Sequence, residues 1–117
     1  MPRGLDESVR VPSFLAETFL QRPGPSGVRE RERRARDAAR ELTLDGTPVR
    51  FVRSIFVPKD EICFFVFEAM SASAVEAACD RAALRFERVV EAIESRPRQT
   101  PARERIRNAG RQGERKR

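Results

Sequence analysis

Apolar and polar positions change period several times along the chain, and each change marks a predicted element. Residues 13–20, SFLAETFL, are dense in aromatic and aliphatic side chains and predict a first strand. The stretch QRPGPSG at 21–27 has two prolines and two glycines, which continue neither a strand nor a helix. From Val28 to about Thr43 the period becomes helical. Ala35, Ala38, Ala39 and Leu42 recur at i, i+3, i+4 and i+7, with Arg, Glu and Asp on the other side, and Ser26 is the expected N-cap. LDGTP at 44–48 ends that helix, with Gly46 free to take a positive φ.

A hairpin follows. VRFVRSIFV (49–57) reads as a second strand, PKD (58–60) as a tight turn, and EICFFVFEA (61–69) as a third strand. Ser73 with Glu76 three residues on forms a capping-box signature. It opens a second helix whose Val75, Ala78, Cys79 and Ala82 share one face. The last segment, FERVVEAIE (86–94), fits two periods. Phe86, Val89, Val90 and Ile93 make a helical stripe, but the preceding string lacks a closing strand, and a strand is the reading taken.

The order β-α-β-β-α-β is that of the ferredoxin-like, split βαβ arrangement, an α+β fold with a four-stranded antiparallel sheet. It places the first and third strands centrally and both helices on one face. On the third strand Ile62, Phe64 and Val66 point one way, and Cys63, Phe65 and Phe67 the other. Helices on one face can bury one set. The other set would be an apolar patch larger than monomers usually leave bare. A second copy packed sheet against sheet, as a homodimer forming a dimeric α/β barrel, is the expected cover, with Phe65 in the interface. A bound ligand and a folded-back terminal arm are the rival covers.

Charge refines the boundaries. Residues 95–117 carry nine Arg or Lys against two Glu, while the remaining 94 residues have 15 basic and 16 acidic side chains. The net charge of +6 therefore resides in the C-terminal segment. That segment has one large aliphatic residue, Ile106, too little to offset the entropy of ordering. The division expected is a loose arm at 1–12, a folded domain at 13–94 and a basic disordered tail at 95–117. Such a tail attracts nucleic acid or other polyanions weakly, or serves only to keep the protein soluble. No run of about 18 apolar residues is present, so no membrane span is expected, and MPRGLDESVRVP is not a secretory signal. Cys63 and Cys79 lie in apolar surroundings and are expected as reduced, buried thiols of a cytoplasmic protein.

Chemistry-bearing motifs are sparse. There is no histidine, no glycine-rich phosphate loop, no paired-cysteine metal motif and no nucleophile elbow. Outside the tail Lys59 is the one lysine. No set of residues at catalytic spacing points to an enzyme.

The segment GTPVRFVRSIFVPKDEICFFVFEAMSASAVEAACDRAALRFERVVEAI (46–93) resembles a small bacterial ferredoxin-like family of unknown function that includes nickel-binding members. The resemblance rests on the hairpin, with Arg53 and Ser54 in its first strand and Cys63 in its second, and on the helix and Phe86 that follow. It implies a sheet-to-sheet dimer. It also implies nickel, but where metal-binding members carry histidine this chain has Arg53, and it lacks the second histidine near Ala78. The glycine and proline expected at the end of that helix are Ala83 and Arg85. Nickel is accordingly not expected here.

Glu17, Arg53, Ser54 and Cys63 are polar groups within largely apolar strands and form the candidate ligand-binding set. A charge in such a place needs a partner, and Glu17 with Arg53 is the candidate pocket pair; a structural ion pair or a water-facing edge is the simpler reading. The expected function is that of a small dimeric domain holding a small ligand or metal in a pocket between the sheet and its partner. The alternative is a nucleic-acid or polyanion-binding accessory protein acting through the tail. A third reading, an enzyme related to ferredoxin-like monooxygenases and isomerases, suffers from the missing histidine and tyrosine.

Overall fold

The computed structural model describes residues 11–95. The elements run β1 (Ser13–Phe19), α1 (Gly24–Leu44), β2 (Val49–Val57), β3 (Ile62–Ala69), α2 (Ala72–Arg81) and β4 (Arg88–Ala92). The fold is α+β. Its four strands form one antiparallel sheet in the order β2-β3-β1-β4, with β1 and β3 central. That order is compatible with the ferredoxin-like arrangement. The sheet is open, with β2 and β4 as its edges. The expected arm at 1–12 and tail at 95–117 lie almost wholly outside the described residues.

Alternation in β3 sorts its side chains as expected. Cys63, Phe65 and Phe67 are fully buried in the core beneath the helices, with Phe14 and Ala16 of β1 and Val49 and Phe51 of β2. Ala35, Ala38, Ala39 and Leu42 of α1 and Ala74, Val75, Ala78 and Cys79 of α2 complete it. Small alanines on both helices let them sit close to the sheet, and the large rings of β3 fill the space between. Phe51 meets Phe67 edge-on at 5.4 Å and Phe65 at 6.2 Å between centroids, and Arg36 of α1 lies 5.3 Å over the Phe51 ring. Phe65 therefore belongs to the helix-side core, and the expectation that it faces a partner is corrected: Phe64 is the ring on the other face.

Two helix starts differ from expectation. Helix α1 begins at Gly24, not Val28, with Pro23 as N-cap and Pro25 in its first turn. Proline is tolerated there because those N–H groups have no intrahelical acceptor, so Ser26 lies inside the helix and caps nothing. In α2 the N-cap is Ser71, whose Oγ accepts from the Ala74 N–H at 3.2 Å; Ser73 lies within the helix. Both helices end in the same way. The Thr47 N–H reaches Leu42 O and the Gly46 N–H reaches Thr43 O; likewise Leu84 reaches Cys79 and Ala83 reaches Asp80. These are paired Schellman closures, which need a left-handed residue just past the helix. Gly46 supplies it at φ 102 and Ala83 at φ 58.

The last segment is a strand, as read. Its ladder on β1 pairs Ser13 with Ala92 and Glu17 with Arg88, and the Glu87 N–H extends it to Glu17 O at 2.7 Å. The helical stripe loses because β1 offers a free edge. The hairpin turn takes in Glu61, at φ 56, so β3 starts one residue later than expected.

Candidate functional site

The candidate site is the sheet face turned away from the helices. A bulge between Phe51 and Arg53 shifts the pairing of β2, so that Arg53 stands opposite Val66 and Ser54 opposite Phe65. Read across from β2 to β4, Arg50, Glu68, Ser13 and Ala92 form one row. Arg53, Val66, Leu15 and Val90 form the next, followed by Ile55, Phe64, Glu17 and Arg88. Val57, Ile62 and Phe19 form the last.

This face is divided. Toward the Phe19 end it is apolar and open: Phe19 is 58% exposed and Ile55 46%, with Val57, Ile62 and Phe64 half-buried around them. Ion pairs tie the rest of the face, one of them in the same row as Ile55 and Phe64. Arg50 Nη2 meets Glu68 Oε1 at 2.8 Å, and Arg88 Nε meets Glu17 Oε1 at 2.7 Å. Arg53 Nη2 meets Glu94 Oε2, two residues past β4, also at 2.7 Å. Pairs this exposed each contribute about 0–1 kcal/mol, so they shape the surface more than they stabilise the fold.

The four candidate residues do not come together. Glu17 and Arg53 share the open face in different rows, and each has another partner, Arg88 and Glu94 respectively. The expected Glu17–Arg53 pair is therefore replaced by two others. Ser54 and Cys63 lie on the helix side. Ser54 Oγ donates to the Glu32 carboxylate of α1 in a short contact, and Cys63 is fully buried beside it. Thr18 Oγ1 donates to the Cys63 carbonyl oxygen at 2.8 Å, which satisfies a hydroxyl buried in β1. Glu32, Arg88 and Glu94 are the partners that sequence reasoning missed. Arg88 had a usable signal, since a charge on a short edge strand beside Glu17 invites a cross-strand pair.

Neither thiol is set up for chemistry. Burial pushes the Cys63 thiol up to about 11, against a smaller opposing effect from Ser54. Burial, aided by Asp80 and Glu76, pushes Cys79 up to about 12. Both are free and neutral at ordinary pH, so neither is a ready nucleophile or metal ligand. The residues present do not fit a nickel centre: no three Cys, Asp or Glu converge among the described residues, and the sequence has no imidazole. An open groove of about 570 Å³ beside the α2–β4 connection is lined by Asp80, Ala83, Leu84, Arg85 and Phe86. None of the candidate residues lines it. Among the described residues no helix is long and apolar enough to cross a membrane.

No known family, curated protein or solved structure matches the chain. The functional reading rests on the geometry.

Proposed function

We propose that this chain is a docking domain that associates in pairs, a second copy laying its open sheet face against the first. The observation that carries this reading is the contiguous apolar end of that face, with Phe19 and Ile55 exposed beside Ile62 and Phe64. Scattered exposed apolar residues are ordinary, but a joined patch on one sheet face marks a contact surface.

Charge favours a copy of the same chain over a polyanion as the occupant. Three arginines and three glutamates are interspersed on the face as pairs. Two such faces related by a two-fold axis meet without net repulsion, whereas Glu17, Glu68 and Glu94 repel a phosphate backbone. The extent is suitable too. Strands about 4.8 Å apart, with about 3.3 Å per residue, make a face of about 450 Å² in plan. With side-chain relief that reaches the low end of the roughly 600–1,000 Å² per partner of specific interfaces. A small ligand between the two sheets, as the sequence suggested, would find apolar walls at the Phe19 end with paired arginines and glutamates beside them.

Sedimentation velocity over a concentration series tests the reading. The protein is expected to shift toward dimer mass as concentration rises. Phe19→Glu, at an exposed position that leaves the core intact, is expected to hold it monomeric with an unchanged unfolding transition. Monomer at every attainable concentration, or a Phe19→Glu variant that dimerises equally well, sinks the reading.

A further inference from the structure

The Arg53–Glu94 pair joins opposite edges of the sheet. Arg53 lies on β2 and Glu94 follows β4, with β3 and β1 between those edge strands. At about 4.8 Å per strand the edges are about 14 Å apart. A straight continuation of β4 from Val90, which shares Arg53's row, would carry Glu94 a further 13 Å or so along the strand, at about 3.3 Å per residue. Their side chains meet at 2.7 Å all the same. The two long side chains close most of that distance, and an inward bend of the chain past Ala92 toward the open face closes the rest. Val66 agrees: it stands beside Arg53 on that face and is 1% exposed, while Phe64, its neighbour on the same face of the same central strand, is half-buried.

We propose that residues 93–95 form a strap, latched by Glu94 on Arg53, which covers the Val66 end of the open face and so regulates pairing. This deepens the docking reading and rests on it. Among the described residues, a closed strap leaves the Phe19–Ile55 end free, roughly half of a face whose whole extent is at the low end of what a specific interface needs. Pairing over the full face requires the strap to lift. The latch is well suited to control this step. Arg53 and Glu94 are 53% and 28% exposed in their side chains, so salt and water reach the pair, and it opens readily. Ile93, at the root of the strap, is 95% exposed and buries nothing that would hold the strap closed. The strap is a short form of the folded-back terminal arm that the sequence left as a rival cover for this face.

Two measurements on the full chain separate the strap from the docking reading. The first is the labelling rate of Val66→Cys by a thiol reagent, at concentrations where the protein is monomeric; Cys63 and Cys79 are buried and react slowly. Adding Glu94→Gln is expected to speed this labelling about threefold to fivefold, the ratio a partly exposed ion pair supports. Raising salt should speed the latched protein and leave the Glu94→Gln form little changed. The second is the dimer dissociation constant by sedimentation, expected to tighten by a similar factor in Glu94→Gln. Labelling of Val66→Cys that ignores both the substitution and salt overturns the strap. Faster labelling with no dimer in any variant upholds the strap and overturns the docking reading. A weaker dimer in Glu94→Gln shows the strap to be part of the interface and overturns its role as a cover.

Discussion

Ala83 and Gly46 occupy the same station in two copies of one helix-ending motif, and only one of them is glycine. Each closes its helix with the same pair of backbone hydrogen bonds at a positive φ. For an L-residue that conformation costs about 1–2 kcal/mol, part of which glycine gives back by having a freer unfolded chain. Ala83 is held there because Leu84, the next residue, is buried in the core, and because Arg34 of α1 donates to the Ala82 carbonyl oxygen at 2.8 Å. Ala83→Gly is expected to raise stability by roughly 0.5–1 kcal/mol and Gly46→Ala to lower it by about 1 kcal/mol. The two denaturation midpoints check this, and equal effects of the same sign would show that the motif does not govern either end. Nothing lies within 4 Å of a Cβ built on Gly46, so its cost is conformational and not steric.

At the scale of elements, what the sequence revealed depended on whether the signal was periodic or pairwise. Alternation in β3 put Phe65 and Phe67 on one face and Phe64 and Val66 on the other, and the antiparallel ladders keep that sorting. Periodicity in α1 located Ala35, Ala38, Ala39 and Leu42 on its buried side. Caps were harder: Ser26 lies inside α1 behind Pro23, and Ser71 and Ser73 both stand at the start of α2, where only backbone geometry selects between them. Ser71 is extended, at φ −151 and ψ 156, and its hydroxyl faces the first turn of α2; Ser73 is already helical. Ser71→Ala is therefore expected to cost about 1 kcal/mol, the usual value of an N-cap hydroxyl. Ser73→Ala should stay within about 0.5 kcal/mol, as for an ordinary surface change. The reverse order in urea denaturation would restore the capping box at Ser73. The candidate site was less legible than the fold. The bulge after Phe51 has no sequence signature, yet it decides that Arg53 faces the open side and Ser54 the helices. The partners of Glu17 and Arg53 come from β4 and beyond; Arg88 could be guessed from its place on an edge strand, whereas nothing in the spacing along the chain points to Glu94.

At the scale of the whole molecule, the charge is divided between two parts of the chain with different prospects. Among the described residues the core cluster runs from Phe14 to Leu84, and the ion pairs of the open face reach Glu94. Residues 96–117 contain nine basic and two acidic side chains, while the rest of the chain is nearly neutral. Attraction to a polyanion would draw on that excess, since each phosphate contact releases a counterion and gives the affinity a steep salt dependence. The sheet face, with its interspersed glutamates, offers no comparable excess. Truncation after Ser95 is expected to keep a single cooperative unfolding transition with little change in midpoint. It is also expected to abolish retention on a heparin column. For the full chain, binding to a single-stranded oligonucleotide should weaken with log salt at a slope of about −0.7 for each phosphate engaged. Loss of cooperative unfolding in the truncated chain would make residues 96–117 part of the folded domain. Unchanged polyanion binding would move that activity to α1, where Arg33, Arg34 and Arg40 are now paired with Glu30 and Asp37.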